Sequence, residues 1–199
     1  MQALPLMEAF YTIQGEGSFQ GNPAFFIRLG GCDVGCHWCD VKKSWDPSAH
    51  PIVSVEDIVN QALKFPVRLA IITGGEPLMY DLDTLTARLK HHGFRTHLET
   101  SGAYSLTGAW DWICLSPKKF KAPDKNIYKS ADELKIIIYN SSDFIWAEEQ
   151  MKLVNTSCRL YLQPEWGKMK KMMNHIVEYV KKHPHWKISL QVHKFMNIH

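Results

Sequence analysis

The sequence predicts an α/β protein whose parallel strands form an incomplete, open barrel. Short apolar runs alternate with amphipathic helical patterns almost from end to end, and such alternation implies a parallel sheet with right-handed crossovers. A closed eight-stranded barrel usually needs about 250 residues, whereas this chain has 199. We therefore expect one domain, residues 1–199, with a sheet that does not close.

Seven apolar runs predict the buried strands of this sheet. They lie at 25–29, 68–73, 95–99, 112–115, 134–139, 159–163 and 187–191. Ser54 is expected to cap one helix, and Gly93 to end a second helix in a left-handed conformation. A third helix, from Met169, carries a methionine-rich stripe that we assign to core packing. The basic, proline-containing stretch 116–132 fits no helical pattern and predicts a loop.

Composition and charge exclude several classes of protein. Apolar residues make up 45% and charged residues 22% of the chain, as in an ordinary soluble protein. Basic and acidic residues are interleaved along the sequence and give a net charge of only +3, so nothing favours a nucleic-acid partner. No apolar run approaches the roughly 20 residues that cross a bilayer. Without a signal peptide, and with an odd number of clustered cysteines, the chain is expected to be cytoplasmic.

The strongest chemical signal is a cysteine cluster directly after the first predicted strand. Cys32, Cys36 and Cys39 follow a Cys-x3-Cys-x2-Cys spacing in a glycine-rich loop. Three thiolates are one short of what a [4Fe–4S] cube needs, so one iron would stay open to a ligand such as S-adenosylmethionine. A zinc knuckle completed by His37 is the alternative, although adjacent residues rarely point at one metal.

A second motif, Gly-Gly-Glu-Pro at 74–77, follows the second predicted strand. The carboxyl ends of parallel strands are where barrels place their active sites. Paired glycines let the backbone approach a ligand closely. An ordinary tight turn between strand and helix would also produce this pattern.

The cysteine loop followed by Gly-Gly-Glu-Pro resembles the radical S-adenosylmethionine superfamily. Within it, the sequence closely resembles the 7-carboxy-7-deazaguanine synthase family. Five further matches span nearly the whole chain: 11–17 (YTIQGEG), Arg28, 116–118 (SPK), 162–164 (LQP) and 191–194 (QVHK). The resemblance implies a lyase that converts 6-carboxy-5,6,7,8-tetrahydropterin to 7-carboxy-7-deazaguanine with loss of ammonia, in queuosine or deazapurine biosynthesis. It also implies a [4Fe–4S] cluster on Cys32, Cys36 and Cys39, and S-adenosylmethionine.

The resemblance implies two sets of binding residues. The pterin is expected to contact Ile13, Gln14, Gly15, Glu16, Arg28, Thr73 and the terminal carboxylate of His199. S-adenosylmethionine is expected to contact Trp38, Cys39, Asp40, Gly75, Glu76, Ser116, Pro117, Lys118, Gln163, Pro164 and Glu165. Arg28 also stands out by itself, because an arginine inside an apolar strand is unusual and its fork suits a carboxylate.

One position departs from the family pattern. The family commonly has Asp-Thr after the last cysteine, with the threonine as a Mg²⁺ ligand, whereas this chain has Asp40-Val41. Valine offers no ligand oxygen, although Mg²⁺ needs few protein ligands. The resemblance therefore implies Mg²⁺ with weakened dependence on it.

The resemblance further implies a homodimer and an electron donor such as flavodoxin. Two rival functions stay open on the sequence. A glycyl-radical-activating enzyme would share the cysteine spacing, but is not expected to carry the 11–17 and 191–194 segments. A non-catalytic iron–sulfur or zinc module is the other, and acid-labile sulfide would separate its zinc form from an iron–sulfur protein.

Overall fold

The computed structural model describes residues 2–198 and contains, within them, one sheet of nine strands. The strands are β1 Ala3–Ile13, β2 Pro23–Leu29, β3 Ile52–Ser54, β4 Leu69–Gly74, β5 Arg95–Thr100, β6 Trp112–Leu115, β7 Glu133–Ile138, β8 Arg159–Pro164 and β9 Trp186–Ile188. Their order in the sheet is β3-β1-β2-β4-β5-β6-β7-β8-β9. The two edge strands, β3 and β9, do not pair, so the predicted open barrel is confirmed.

From β2 to β9 every neighbouring pair is parallel, as the alternating pattern predicts. The sequence did not reveal β1 or β3, which extend the sheet antiparallel to their neighbours. Strand β1 buries Leu4, Pro5 and Leu6 but is half-buried further on. It therefore lacks the continuous apolar run that marks a strand covered on both faces.

Six helices accompany the strands in residues 2–198, at α1 Val55–Leu63, α2 Asp83–His91, α3 Ile127–Ser130, α4 Ser142–Met151, α5 Met169–Lys182 and α6 Val192–Met196. The Ser54 hydroxyl accepts from the Asp57 amide, which confirms the N-cap of α1. Gly93 follows α2 with φ of +77° and confirms the left-handed C-terminal cap. The stripe of α5 packs on β8 and β9 through buried Met172 and Ile176.

The expectation of a loop at 116–132 is wrong for four residues. Helix α3 makes one turn there, because Ile127 and Tyr128 insert into the core while the flanking residues stay irregular. Between β6 and β7 the crossover is otherwise loop, as predicted. No helix within residues 2–198 combines the length and the apolar character that a membrane span needs.

Strand β5 carries a buried histidine whose charge state affects stability. His97 is 3% exposed, its Nε2 atom has no hydrogen-bond partner within residues 2–198, and its ring lies 4.3 Å from that of Phe19. Burial lowers the pKa of His97 to about 4, with a smaller contribution from Arg95. The native state therefore holds this histidine neutral at pH values where the unfolded chain already binds a proton.

We expect acidification to destabilise the protein through His97. The unfolded histidine has a pKa near 6.5, so its stabilising contribution is complete above that value and is lost as pH falls toward 4. Between pH 7.5 and pH 5.5 the free energy of unfolding should fall by about 1.4 kcal/mol more in the wild type than in His97→Gln. Anaerobic denaturant titrations measure this difference, and parallel losses in the two proteins would contradict it.

Candidate active site

A cavity of about 270 Å³ opens at the carboxyl edge of the sheet. Parallel strands bring their carboxyl ends to one edge, so the segments that follow β2, β4 and β6 meet there. The cysteine loop, Gly75 and Lys118 line it in that order. The strand-end residues Thr100 and Pro164 complete the rim. The geometry therefore gathers motifs that are far apart in the sequence.

Backbone hydrogen bonds fix the cysteine loop against the turn after β4. The Gly75 amide donates to the Leu29 carbonyl at 2.9 Å, and the Glu76 amide donates to the Gly31 carbonyl at 2.8 Å. Gly31 has φ of +100°, a conformation that glycine adopts without strain. A Cβ on Gly75 would lie 2.1 Å from the Gly31 carbonyl oxygen, so only glycine lets these two backbones approach.

The three clustered cysteines all line the cavity. Cys36 is buried, whereas Cys32 and Cys39 are half-buried, and all three are free thiols. Burial raises the pKa of Cys36 to about 11, against the opposing influence of the Lys118 ammonium. Because metal ligation needs thiolates, cluster binding at this site has to release protons.

This arrangement fits a [4Fe–4S] cluster better than a zinc knuckle. His37 is exposed, and its ring packs edge-on against Phe120 and Tyr139 at 5.4 and 5.2 Å rather than lining the cavity with the cysteines. Within residues 2–198 no three His, Cys, Asp or Glu side chains converge to hold a single ion. A four-iron cube is wider than one ion, so its thiolates stand apart around it.

Apart from His199, the predicted pterin residues lie together on the same cavity. Ile13, Gln14, Gly15 and Glu16 line it from the turn after β1, and Arg28 and Thr73 line it from β2 and β4. Arg28 and Thr73 are paired in register. The Arg28 guanidinium donates to the Glu8 carboxylate. The cavity thus joins the thiols to a polar end that offers carboxylate, amide and guanidinium groups.

Most residues predicted for S-adenosylmethionine also line the cavity. They are Trp38, Cys39, Asp40, Gly75, Ser116, Lys118, Gln163, Pro164 and Glu165. Lys118 Nζ donates to the Ser116 hydroxyl at 2.7 Å and lies 5.9 Å from the centre of the Trp38 ring. Ser189 donates to Gln163 Oε1 at 2.7 Å, which orients that amide.

The structure places two other predicted residues, Glu76 and Pro117, away from the cavity lining. Glu76 is 1% exposed and does not line the cavity. Its carboxylate turns inward and accepts from the Thr100 hydroxyl at 2.5 Å, the Ser101 amide at 2.8 Å and the Leu78 amide at 3.1 Å. Pro117 is buried behind the rim. His199 lies outside the described residues.

Six polar residues at the cavity were absent from the predicted set: Glu99, Thr100, Ser101, Lys135, Gln191 and His193. Lys135 carried a usable signal, because a lysine within the apolar run 134–138 is as unusual as Arg28 in its strand. Its side chain is only 4% exposed, and its ammonium contacts Glu16 and Glu99. The 191–194 segment stood in a recognised motif but had been given no pterin-side role, and Glu99 had been given no role.

The C-terminal segment contacts the cysteine loop across the cavity mouth. Lys194 Nζ donates to Asp40 Oδ2 at 2.8 Å, and the Val192 amide donates to the Gly15 carbonyl at 2.9 Å. A Cβ on Gly15 would lie 2.3 Å from His193 Nδ1, so glycine is required at this approach. The Asp40 carboxylate therefore already faces a cation from the protein itself.

Comparison with known proteins identifies the chain. Residues 26–113 match the family model of the Radical SAM superfamily. The 7-carboxy-7-deazaguanine synthase of Flavobacterium psychrophilum is 56% identical over 99% of this chain and 93% of its own length. The 7-carboxy-7-deazaguanine synthase of Synechocystis sp. is 49% identical over 98% of this chain and 93% of its own length. The crystal structure of QueE from Escherichia coli matches with a TM-score of 0.84 and 29% identity, covering 94% of this chain and 93% of that one.

The open α/β barrel and its cysteine loop define a radical S-adenosylmethionine protein. The sequence identities to the two synthases, which extend over nearly the full length of the chain, narrow this class to one family. The chain belongs to the 7-carboxy-7-deazaguanine synthase family.

Proposed function

We propose that this protein converts 6-carboxy-5,6,7,8-tetrahydropterin to 7-carboxy-7-deazaguanine with loss of ammonia. The substrate contains the same atoms and electrons as the product and ammonia together. The reaction therefore needs no net oxidant. The observation that carries the proposal is that one cavity joins three cluster-type thiols to Arg28 and the Gln14–Glu16 turn. Nearly full-length similarity to synthases of this name supports the same conclusion.

We assign Cys32, Cys36 and Cys39 to a [4Fe–4S] cluster. When bound, the cluster and S-adenosylmethionine supply the 5′-deoxyadenosyl radical that starts the ring contraction. The polar end of S-adenosylmethionine is assigned to Lys118 and Ser116, because an ammonium suits its carboxylate. Gln163, Pro164 and Glu165 line the cavity, and we assign them to the nucleoside end of S-adenosylmethionine.

The other end of the cavity is assigned to the pterin. Arg28 would offer its guanidinium to the substrate carboxylate. Gln14 and Glu16 line the same cavity, and we assign them to the nitrogen-rich edge of the pterin. Thr73, adjacent to Arg28 in register, lies on the same side. These groups orient the ring between the cluster loop and the turn after β1, so the reacting carbon is held toward the cofactor.

Mg²⁺ is the one family cofactor that the residues of this chain do not favour. Val41 lines the cavity where the family commonly has threonine, and it carries no ligand oxygen. Asp40 already accepts from Lys194 Nζ at 2.8 Å. We propose that the Lys194 ammonium provides positive charge beside Asp40, so that the reaction depends only weakly on Mg²⁺.

Chelation of divalent cations is therefore expected to lower the turnover rate by no more than roughly two-fold, because Lys194 already compensates Asp40 and Val41 supplies no ligand. Turnover would be measured with EDTA and again after Mg²⁺ is added back. Val41→Thr is the matched variant, and its rate should respond more strongly to Mg²⁺. Complete loss of wild-type activity under chelation, restored by Mg²⁺, would contradict the proposal.

The remaining assignments follow from the family likeness. We propose that residues 1–199 act as one radical S-adenosylmethionine domain, since one continuous sheet runs from β3 to β9. We further propose a cytoplasmic homodimer that receives its electrons from a donor such as flavodoxin. The terminal carboxylate of His199 stays a proposed pterin ligand. Sedimentation of the reconstituted protein tests the dimer.

Anaerobic turnover tests the proposed function directly. Reconstituted protein would be incubated with dithionite, S-adenosylmethionine and 6-carboxytetrahydropterin, and products would be identified by mass spectrometry. We expect 7-carboxy-7-deazaguanine. Formation of 5′-deoxyadenosine alone would retain the superfamily assignment and reject the substrate. If neither formed despite an intact cluster, the enzymatic proposal itself would be rejected.

A further inference from the structure

A lysine ammonium lies between two carboxylates at the polar end of the cavity. Lys135 Nζ donates to Glu16 Oε2 at 2.5 Å and to Glu99 Oε2 at 2.9 Å. All three side chains line the cavity, and that of Lys135 is only 4% exposed. The three residues come from β7, the turn after β1 and β5, so the sheet itself assembles the group.

Amide groups hold the outer oxygens of both carboxylates. Gln14 Nε2 donates to Glu99 Oε1 at 2.8 Å, and Gln191 Nε2 donates to Glu16 Oε1 at 3.0 Å. Gln14 is itself fixed, because its Oε1 accepts from the Glu16 amide at 3.0 Å. Each carboxylate is thus held from two directions, and its rotation is restricted.

The charges do not cancel within this group. Two carboxylates share one ammonium, so the cavity keeps a net negative charge at this end, and each carboxylate oxygen can accept more than one hydrogen bond. A ligand edge rich in N–H donors complements such a surface. The aminopyrimidinone edge of a pterin has this character.

We propose that Lys135 is a positioning residue, which holds the carboxylates of Glu16 and Glu99 side by side as two fixed acceptors for the N–H edge of the bound pterin. The inference rests on the proposed function, because it names a pterin as the ligand. It adds a role for a residue that contacts both acceptors at once. Without this cation, the two half-buried carboxylates would repel each other.

The surrounding charges agree with this role. Burial alone would raise the pKa of Glu16, but the Lys135 ammonium and the Gln191 amide outweigh it and lower that pKa to about 2. Burial alone would lower the pKa of Lys135, but the anionic groups around it hold it well above its usual value. The other titratable groups facing this site are Cys114, Lys118, Glu133 and His193.

Replacing the ammonium by a neutral chain of similar length isolates its effect. In Lys135→Met one carboxyl should take up a proton near neutral pH, which converts an acceptor into a donor and releases both side chains. The KM for the pterin is expected to rise about 30-fold, whereas the KM for S-adenosylmethionine stays unchanged. That pterin KM should rise further as pH falls from 8 to 6, while the wild-type KM changes little from this cause.

Lys90→Met is the matched control, because Lys90 makes one ion pair, with Asp111 at 2.6 Å, and does not line the cavity. Its kinetic constants should equal those of the wild type. If Lys135→Met does not fold, the double variant Lys135→Met with Glu99→Gln takes its place in the experiment. The double variant removes one positive and one negative charge, so the net charge of the site is unchanged. A wild-type pterin KM in the folded variant would overturn the proposal.

Infrared spectroscopy of the holoenzyme gives a readout that does not depend on turnover. A protonated carboxyl band should appear in Lys135→Met between pH 6 and 8 and should be absent from the wild type and from Lys90→Met. In the double variant, which keeps only one of the two carboxyl groups, the band should differ from that of Lys135→Met. If the wild type makes no product from the pterin, the proposed function fails separately. The band then decides the placement of the two carboxylates, and its absence from Lys135→Met overturns that placement as well.

Discussion

Replacing Cys36 by alanine is expected to abolish product formation, with a loss of more than about 10³-fold in turnover. Cys36 is the most buried of the three thiols on the cavity, and two thiolates cannot hold a cluster that already lacks its fourth protein ligand. Iron and acid-labile sulfide, measured after anaerobic reconstitution, should fall together with product formation. The two readouts distinguish loss of the cluster from a defect in substrate binding.

Cys158→Ala provides the control for this experiment. Cys158 is also buried, yet it packs in the core and does not line the cavity. Its replacement should leave the iron content and the product yield near those of the wild type. A Cys36→Ala protein that kept four irons and its turnover would show that the cluster is held elsewhere.

Replacing Gly74 by alanine is expected to disrupt the edge of the sheet on which the site is built. Gly74 has φ of +128°, and a Cβ there would lie 2.2 Å from the Leu29 carbonyl oxygen and 2.3 Å from its amide nitrogen. These are backbone atoms, so relief requires β2 and β4 to separate. We expect a loss of about 3–5 kcal/mol in the free energy of unfolding, together with weaker cluster retention, because the Leu29 carbonyl also accepts from Gly75.

Gly93→Ala separates steric clash from backbone strain. Gly93 also has a positive φ, +77°, but a Cβ there meets no atom within 4 Å. Its replacement should cost only about 1 kcal/mol and leave iron content unchanged. Anaerobic denaturation measures the loss in the free energy of unfolding. Equal losses in the two variants would mean that the steric clash at Gly74 adds nothing to the cost of the positive φ.

The sequence predicted which contiguous motifs would lie at the same edge of the sheet. The Cys-x3-Cys-x2-Cys loop, the glycine pair at 74–75 and the Ser-Pro-Lys segment each follow a strand, and the parallel sheet brings the ends of those strands to one edge. Local spacing is sufficient here, because turns and caps depend on neighbouring residues. The strands that were missed, β1 and β3, lack that local signal and are defined by antiparallel pairing.

Side-chain partners across the sheet were decided only by the tertiary structure. Lys135 meets Glu16, which is 119 residues away, and Lys194 meets Asp40, which is 154 residues away. The carboxylate of Glu76 turns away from the cavity because Thr100 and Ser101 on the neighbouring strand end supply its donors.

The sequence by itself determined the class of fold, the cluster-type cysteines and the motifs that gather at one edge. Only the tertiary structure decided which charges face each other there. The physical reason is that a carboxylate or an ammonium is oriented by partners in space. Those partners come from strands and loops that are far apart in the sequence, and short motifs do not report how such segments pack together.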